Sequence, residues 1–139
     1  NKYLCVQHRD LVAYDDLPSI FSKADILILP YDFSLKSIKY IQYSMPTKAP
    51  EYMMSGTPII VFAPKTTAIV KYAEKYEWAK IIVNNNSEDL SIAIKDLIQN
   101  QNLREKISRN AKKIAEERHN SKNVAKEFKN LMCSLIPGA

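Results

Sequence analysis

The stretch Ser44-Met45-Pro46-Thr47-Lys48-Ala49-Pro50-Glu51-Tyr52-Met53-Met54-Ser55-Gly56-Thr57-Pro58-Ile59-Ile60 decides how this chain is read. It predicts a polar loop ending in Thr47 and Lys48, then a short helix starting around Pro50 and Glu51. Gly56 stops that helix, and an apolar strand over Pro58 to Phe62 follows at once. A loop that delivers backbone N–H groups, a lysine and a carboxylate to one helix start can hold an anion beside a polyhydroxylated group. A nucleoside diphosphate sugar is both.

Working outward, apolar runs alternate with helical patterns, which predicts an α/β fold with a parallel sheet wrapped by helices. Upstream, Tyr3 to Gln7 reads as a strand. Asp15 and Asp16 are placed to cap a helix over Leu17 to Lys23, with Pro18 tolerated in its first turn. Asp25 to Leu29 is a continuous apolar strand ending at Pro30, and the lack of polar alternation predicts burial on both faces, as in a doubly wound sheet. Residues 31–47 show no clear core pattern and are expected to be a long functional connection at the C-terminal end of that strand, where open α/β sheets place ligands. Downstream, Thr66 or Thr67 is expected to cap a helix with Ile69, Val70 and Ala73 on one face, and Ala79 to Val83 is the next strand.

Beyond Asn84-Asn85-Asn86 the pattern is helical throughout. Ser87 with Glu88 and Asp89 starts a helix reaching about Gln99. Leu103, Ile107, Ala111 and Ile114 keep helical spacing in the next, and Ser121 opens a last helix with an apolar stripe of Val124, Phe128, Leu131 and Leu135.

The bulk properties narrow the function classes. A length of 139 residues fits one domain. No run approaches the roughly 18 apolar residues of a membrane span, and no signal peptide is visible, so a cytoplasmic location is expected. The chain starts at Asn1 without a methionine, which is what a piece of a longer protein would show. Gly56 and Gly138 are the only glycines, which excludes a Walker loop or a GxGxxG fingerprint. Cys5, Cys133, His8 and His119 have no metal-ligand spacing, so neither metal nor cofactor is expected. Residues 103–129 hold nine Lys or Arg against four Glu, whereas the remainder has eleven of each sign; the net charge of +5 therefore lies entirely in that segment. Such a segment is either a solvated helix face or a surface for anionic lipid at the inner face of a membrane. Without interleaved aromatic residues it does not read as a nucleic-acid interface.

The pattern Ser44, Pro46, Lys48, Glu51-Tyr52-Met53, then Gly56-Thr57-Pro58 resembles the donor-binding loop of GT-B glycosyltransferases, in the family that includes many retaining enzymes. "LPSIFSKADILILP", residues 17–30, resembles the helix and strand before that loop, and the likeness continues into the C-terminal helices. The resemblance implies a Rossmann-like portion, residues 1–139, of the second, donor-binding domain, without the acceptor domain and the upstream donor-domain strands. It implies a donor linked to UDP or GDP and an acceptor such as a polysaccharide or lipid-linked glycan, with no turnover by this portion alone.

The resemblance also assigns roles. Glu51 would accept hydrogen bonds from the donor ribose hydroxyls; residue by residue, the bland alternative is a carboxylate that merely favours its helix dipole. Lys48 would contact the diphosphate and stabilise the departing charge, with Thr47 and Ser44 as further donors. The segment His8 to Val12 would reach the nucleobase, with Arg9 and Val12 as the candidates. Many relatives carry another Glu eight positions before the ribose-binding one, where this chain has Tyr43; it resembles instead the Ser-x-Pro-x-Lys subset. Tyr43 is therefore given no catalytic role and is expected to pack. Its presence favours the rival reading, a non-catalytic nucleotide-binding or interaction module on the same fold. Asp32, just past a strand, is a lone carboxylate and weak evidence for acid–base chemistry. A receiver-type signalling domain fits poorly, because Asp25 begins its strand rather than ending it.

Overall fold

Three short apolar strands lie side by side in the computed structural model, which describes residues 6–135. β1 (Leu27–Pro30) pairs with β2 (Ile59–Phe62), and β2 with β3 (Lys80–Ile82), all parallel, in the order β1-β2-β3. Leu27 lies opposite Ile59, and Ile60 opposite Lys80. The helices are α1 (Leu17–Ser22), α2 (Leu35–Ile41), α3 (Lys48–Met54), α4 (Ala68–Tyr76), α5 (Ser87–Gln99), α6 (Gln101–Arg118) and α7 (Ser121–Leu135).

Successive strand residues face opposite sides, so an unbroken apolar run buries both faces of the sheet. Leu27, Leu29, Ile59 and Val61 join one core with Ala49 and Met53 of α3, Ile69, Val70 and Ala73 of α4, and Ala111, Ile114 and Ala115 of α6. Ile60 and Ile82 join the other with Ala93 and Leu97 of α5 and Ile107 of α6. One long helix thus closes both cores, because its apolar spacing drifts around the axis along its length. The doubly wound α/β reading holds for these elements.

Several local expectations need correction. Of the strand expected over Tyr3 to Gln7, residues 3–5 lie outside the described residues, and Val6 and Gln7 are in no strand. Asp15 and Asp16 do not cap α1: a 3-10 turn, Tyr14–Asp16, runs straight into it. The backbone of Asp16 is already helical (φ −85°, ψ −18°), whereas a cap needs an extended residue whose side chain can fold back. Thr67 does occupy the extended cap position of α4, yet its hydroxyl donates to the Pro64 carbonyl (2.7 Å) instead of accepting from the helix. The connection 31–47 contains α2, capped by Ser34, whose hydroxyl accepts from the Ser37 N–H (3.3 Å). That helix buries no residue, so it leaves no core periodicity to read.

Candidate functional site

The donor-loop stretch folds as loop, helix and strand, with the helix starting earlier than its residues suggest. The Pro46 carbonyl accepts the Ala49 N–H (3.0 Å), so α3 opens at Lys48. Pro50 fits inside the first turn because an N–H there needs no intrahelical acceptor. Glu51 stays in the first turn. Gly56, at φ +79°, adopts the left-handed backbone that ends the helix and turns the chain into β2. Thr57 then donates its hydroxyl to the Phe21 carbonyl (2.7 Å), locking α1 beside this turn.

An open groove of about 660 Å³ runs between α1, α3 and the corner joining α6 to α7. Tyr14, Leu17, Pro18 and Phe21 line one side, and Thr47, Pro50, Glu51, Met54 and Ser55 line the floor. Glu116, His119, Asn120 and Lys122 close the far side. Tyr14 shares this lining with Glu51, and interaction with the Glu51 carboxylate raises the Tyr14 phenol above its usual value. His119 Nε2 lies 2.9 Å from Tyr72 Oη, with the rings edge to face. Burial, then the charge of Arg118, lowers its pKa.

Of the residues assigned a ligand role, Thr47 and Glu51 share this groove. Lys48 and Ser44 are exposed on the adjoining loop and helix start, outside the groove lining. Arg9 and Val12 are exposed in the segment before the 3-10 turn and do not line it either. Tyr43 does not pack as expected: it is 85% exposed, because it follows the end of α2 in a turn. Tyr14, His119 and Lys122 had no assigned role; the last two come from a distant corner that no local motif signals. Among the described residues, no group of three His, Cys, Asp or Glu could hold a metal ion, and no helix is long and apolar enough to cross a membrane.

Asp32 has a local explanation. It accepts from the Ser34 N–H (2.9 Å) and from the hydroxyls of Ser34 (2.8 Å) and Ser37 (2.5 Å), which ties β1 to the start of α2.

The parallel strand order and the helices on both faces define a Rossmann-like α/β portion with a ligand-sized groove. The family model described as Glycosyl transferases group 1 matches residues 8–114, well over half of the chain, and the chain belongs to that family. No curated protein and no solved structure matches it.

Proposed function

We propose that this chain is the donor-binding portion of a GT-B glycosyltransferase of the Ser-x-Pro-x-Lys type. It holds a UDP- or GDP-linked sugar for transfer to an acceptor such as a polysaccharide or lipid-linked glycan. The observation that carries this reading is Glu51, on the first turn of α3 in a groove of about 660 Å³, in a chain of a glycosyltransferase family. That volume lies within the roughly 300–1,000 Å³ of small-molecule sites.

In this reading Glu51 accepts from the ribose hydroxyls and Thr47 adds a donor beside it. Lys48 and Ser44 engage the diphosphate from the neighbouring loop, and Arg9 and Val12 approach the base. Catalysis is mainly electrostatic: the Lys48 ammonium stabilises the departing nucleoside diphosphate as the glycosidic bond breaks. In a retaining reaction the leaving phosphate assists the acceptor, so no general base is required of these residues. Residues 1–139 bind donor but do not turn over without an acceptor domain. The location is cytoplasmic, at the inner face of a membrane, a placement supported by the lysines and exposed apolar residues of α7.

The second reading, a non-catalytic module, is favoured by Tyr43 where many relatives have a glutamate. Calorimetric titration with UDP, GDP and their sugars tests the first. A hydrogen bond to a charged group contributes roughly 1.5–3 kcal/mol, so Glu51→Ala should weaken nucleotide binding about tenfold or more. Equal affinity of wild type and Glu51→Ala would remove Glu51 from the site.

A further inference from the structure

We propose that the exposed face of α2 is an acceptor subsite for an acidic glycan, an assignment that rests on the donor-site reading of the adjoining loop. Lys36, Lys39, Tyr40 and Tyr43 follow the i, i+3, i+4, i+7 spacing of one helical face. Gln42 keeps helical backbone (φ −58°, ψ −29°) and the Ser44 N–H bonds the Ile41 carbonyl (3.0 Å), so Tyr43 continues that face. Tyr40 is 78% exposed and Tyr43 85%, and among the described residues neither ring nor hydroxyl has a partner. The surrounding charge has one sign. From Phe33 to Pro50 the chain carries Lys36, Lys39 and Lys48 and no Asp or Glu. None of these lysines pairs with a carboxylate among the described residues, and Asp32, just before them, is occupied by Ser34 and Ser37. A merely solvated face mixes both signs and lacks large uncovered rings.

Lysine precedes tyrosine by one helical turn twice, in Lys36–Tyr40 and Lys39–Tyr43, and the Cβ atoms of such pairs lie about 5–6 Å apart. Successive sugar rings that each bear a carboxylate fit that repeat: the apolar face of a ring lies on a tyrosine and its charge meets the lysine beside it. A bilayer would be met by aliphatic anchors, and the stripe itself holds none. A nucleic-acid strand would need a longer basic track than the roughly 10 Å from Lys36 to Tyr43. The stripe runs directly into Ser44 and Lys48, so a glycan on it lies beside the loop that holds the donor diphosphate.

The test is an NMR titration of the isotopically labelled 139-residue chain with short oligomers of galacturonic acid, with neutral galactose oligomers of equal length, and with UDP or GDP. The acidic oligomer should shift amides of residues 35–43 and bind roughly threefold to tenfold more tightly than the neutral one, a preference that fades as salt rises. Lys36→Gln with Lys39→Gln should remove that preference. Tyr40→Ala with Tyr43→Ala should abolish binding of both oligomers, and neither pair should alter nucleotide affinity. All of these side chains are exposed, so the variants keep the fold. Nucleotide binding without any response of residues 35–43 to millimolar acidic oligomer would overturn the acceptor subsite and leave the donor site standing. Absence of nucleotide binding would overturn the donor reading and this assignment with it. Shifts of the same residues by anionic vesicles or an oligothymidylate, but not by the glycan, would give the face to a membrane or a nucleic acid and overturn the proposal. Shifts on raising protein concentration alone would give it to a second copy, with the same consequence.

Discussion

Asp32 shows how a single carboxylate at the ligand end of a sheet can be fully employed in local structure. The Ser37 hydroxyl, then the Ser34 N–H and hydroxyl, bond its ionised form and bring its pKa to about 2 from an ordinary 3.8. The folded value is the lower one, so the stabilising bonds are complete above the unfolded value and are lost as pH falls through about 2. NMR titration should find Asp32 ionised at pH 3, and Asp32→Ala should fray α2 without altering the sheet. An ordinary titration near 3.8 would contradict these bonds. His119 also has a lowered folded pKa, here because burial disfavours its charged form. Its contribution is therefore present above the unfolded 6.5 and is lost as pH falls below that value. Thermal melts between pH 8 and pH 5 should fall more steeply for wild type than for His119→Gln.

At the scale of elements, caps and turns decide where helices begin and end. Glu77 ends α4 in the left-handed region (φ +51°), where a side chain is disfavoured and glycine is not. Its exposed ion pair with Lys106 (3.0 Å) contributes little. Glu77→Gly should thus stabilise the fold by about 0.5–1 kcal/mol in denaturant melts, since the bond from Asn110 to its carbonyl survives. Asn86 caps α5 by accepting from the Glu88 N–H (2.9 Å), and Asn86→Ala should cost about 1 kcal/mol. Elements with a buried stripe were legible in the sequence: α4 shows Ile69, Val70 and Ala73, and α6 shows Ile107, Ala111 and Ile114. The exposed α2 was not, because its only signal is the serine cap. The same distinction governs the site. Thr47 and Glu51 are local to one motif, whereas His119 and Lys122 reach the groove only because α6 packs on α3.

For the whole molecule, charge and uncovered apolar surface coincide at the C-terminal end. Val124, Phe128, Leu131, Met132 and Leu135 of α7 are exposed, and Lys122, Lys126 and Lys129 lie on its opposite side. A helix divided this way binds anionic interfaces through both contributions. The chain should co-sediment with vesicles containing anionic phospholipid and not with neutral ones. Phe128→Ser with Leu131→Ser should abolish this, and vesicle binding unaffected by that pair would remove α7 from the account. The function of the whole molecule turns, however, on the donor site. It is tested most directly by NMR titration of isotopically labelled chain with UDP and with GDP, alongside Glu51→Ala. Amide shifts should be confined to residues 9–14 and 44–52 and the groove wall near 119–122, and should be absent in the variant. No shifts at millimolar nucleotide, in this chain and in a longer protein containing it, would mean that there is no donor site here.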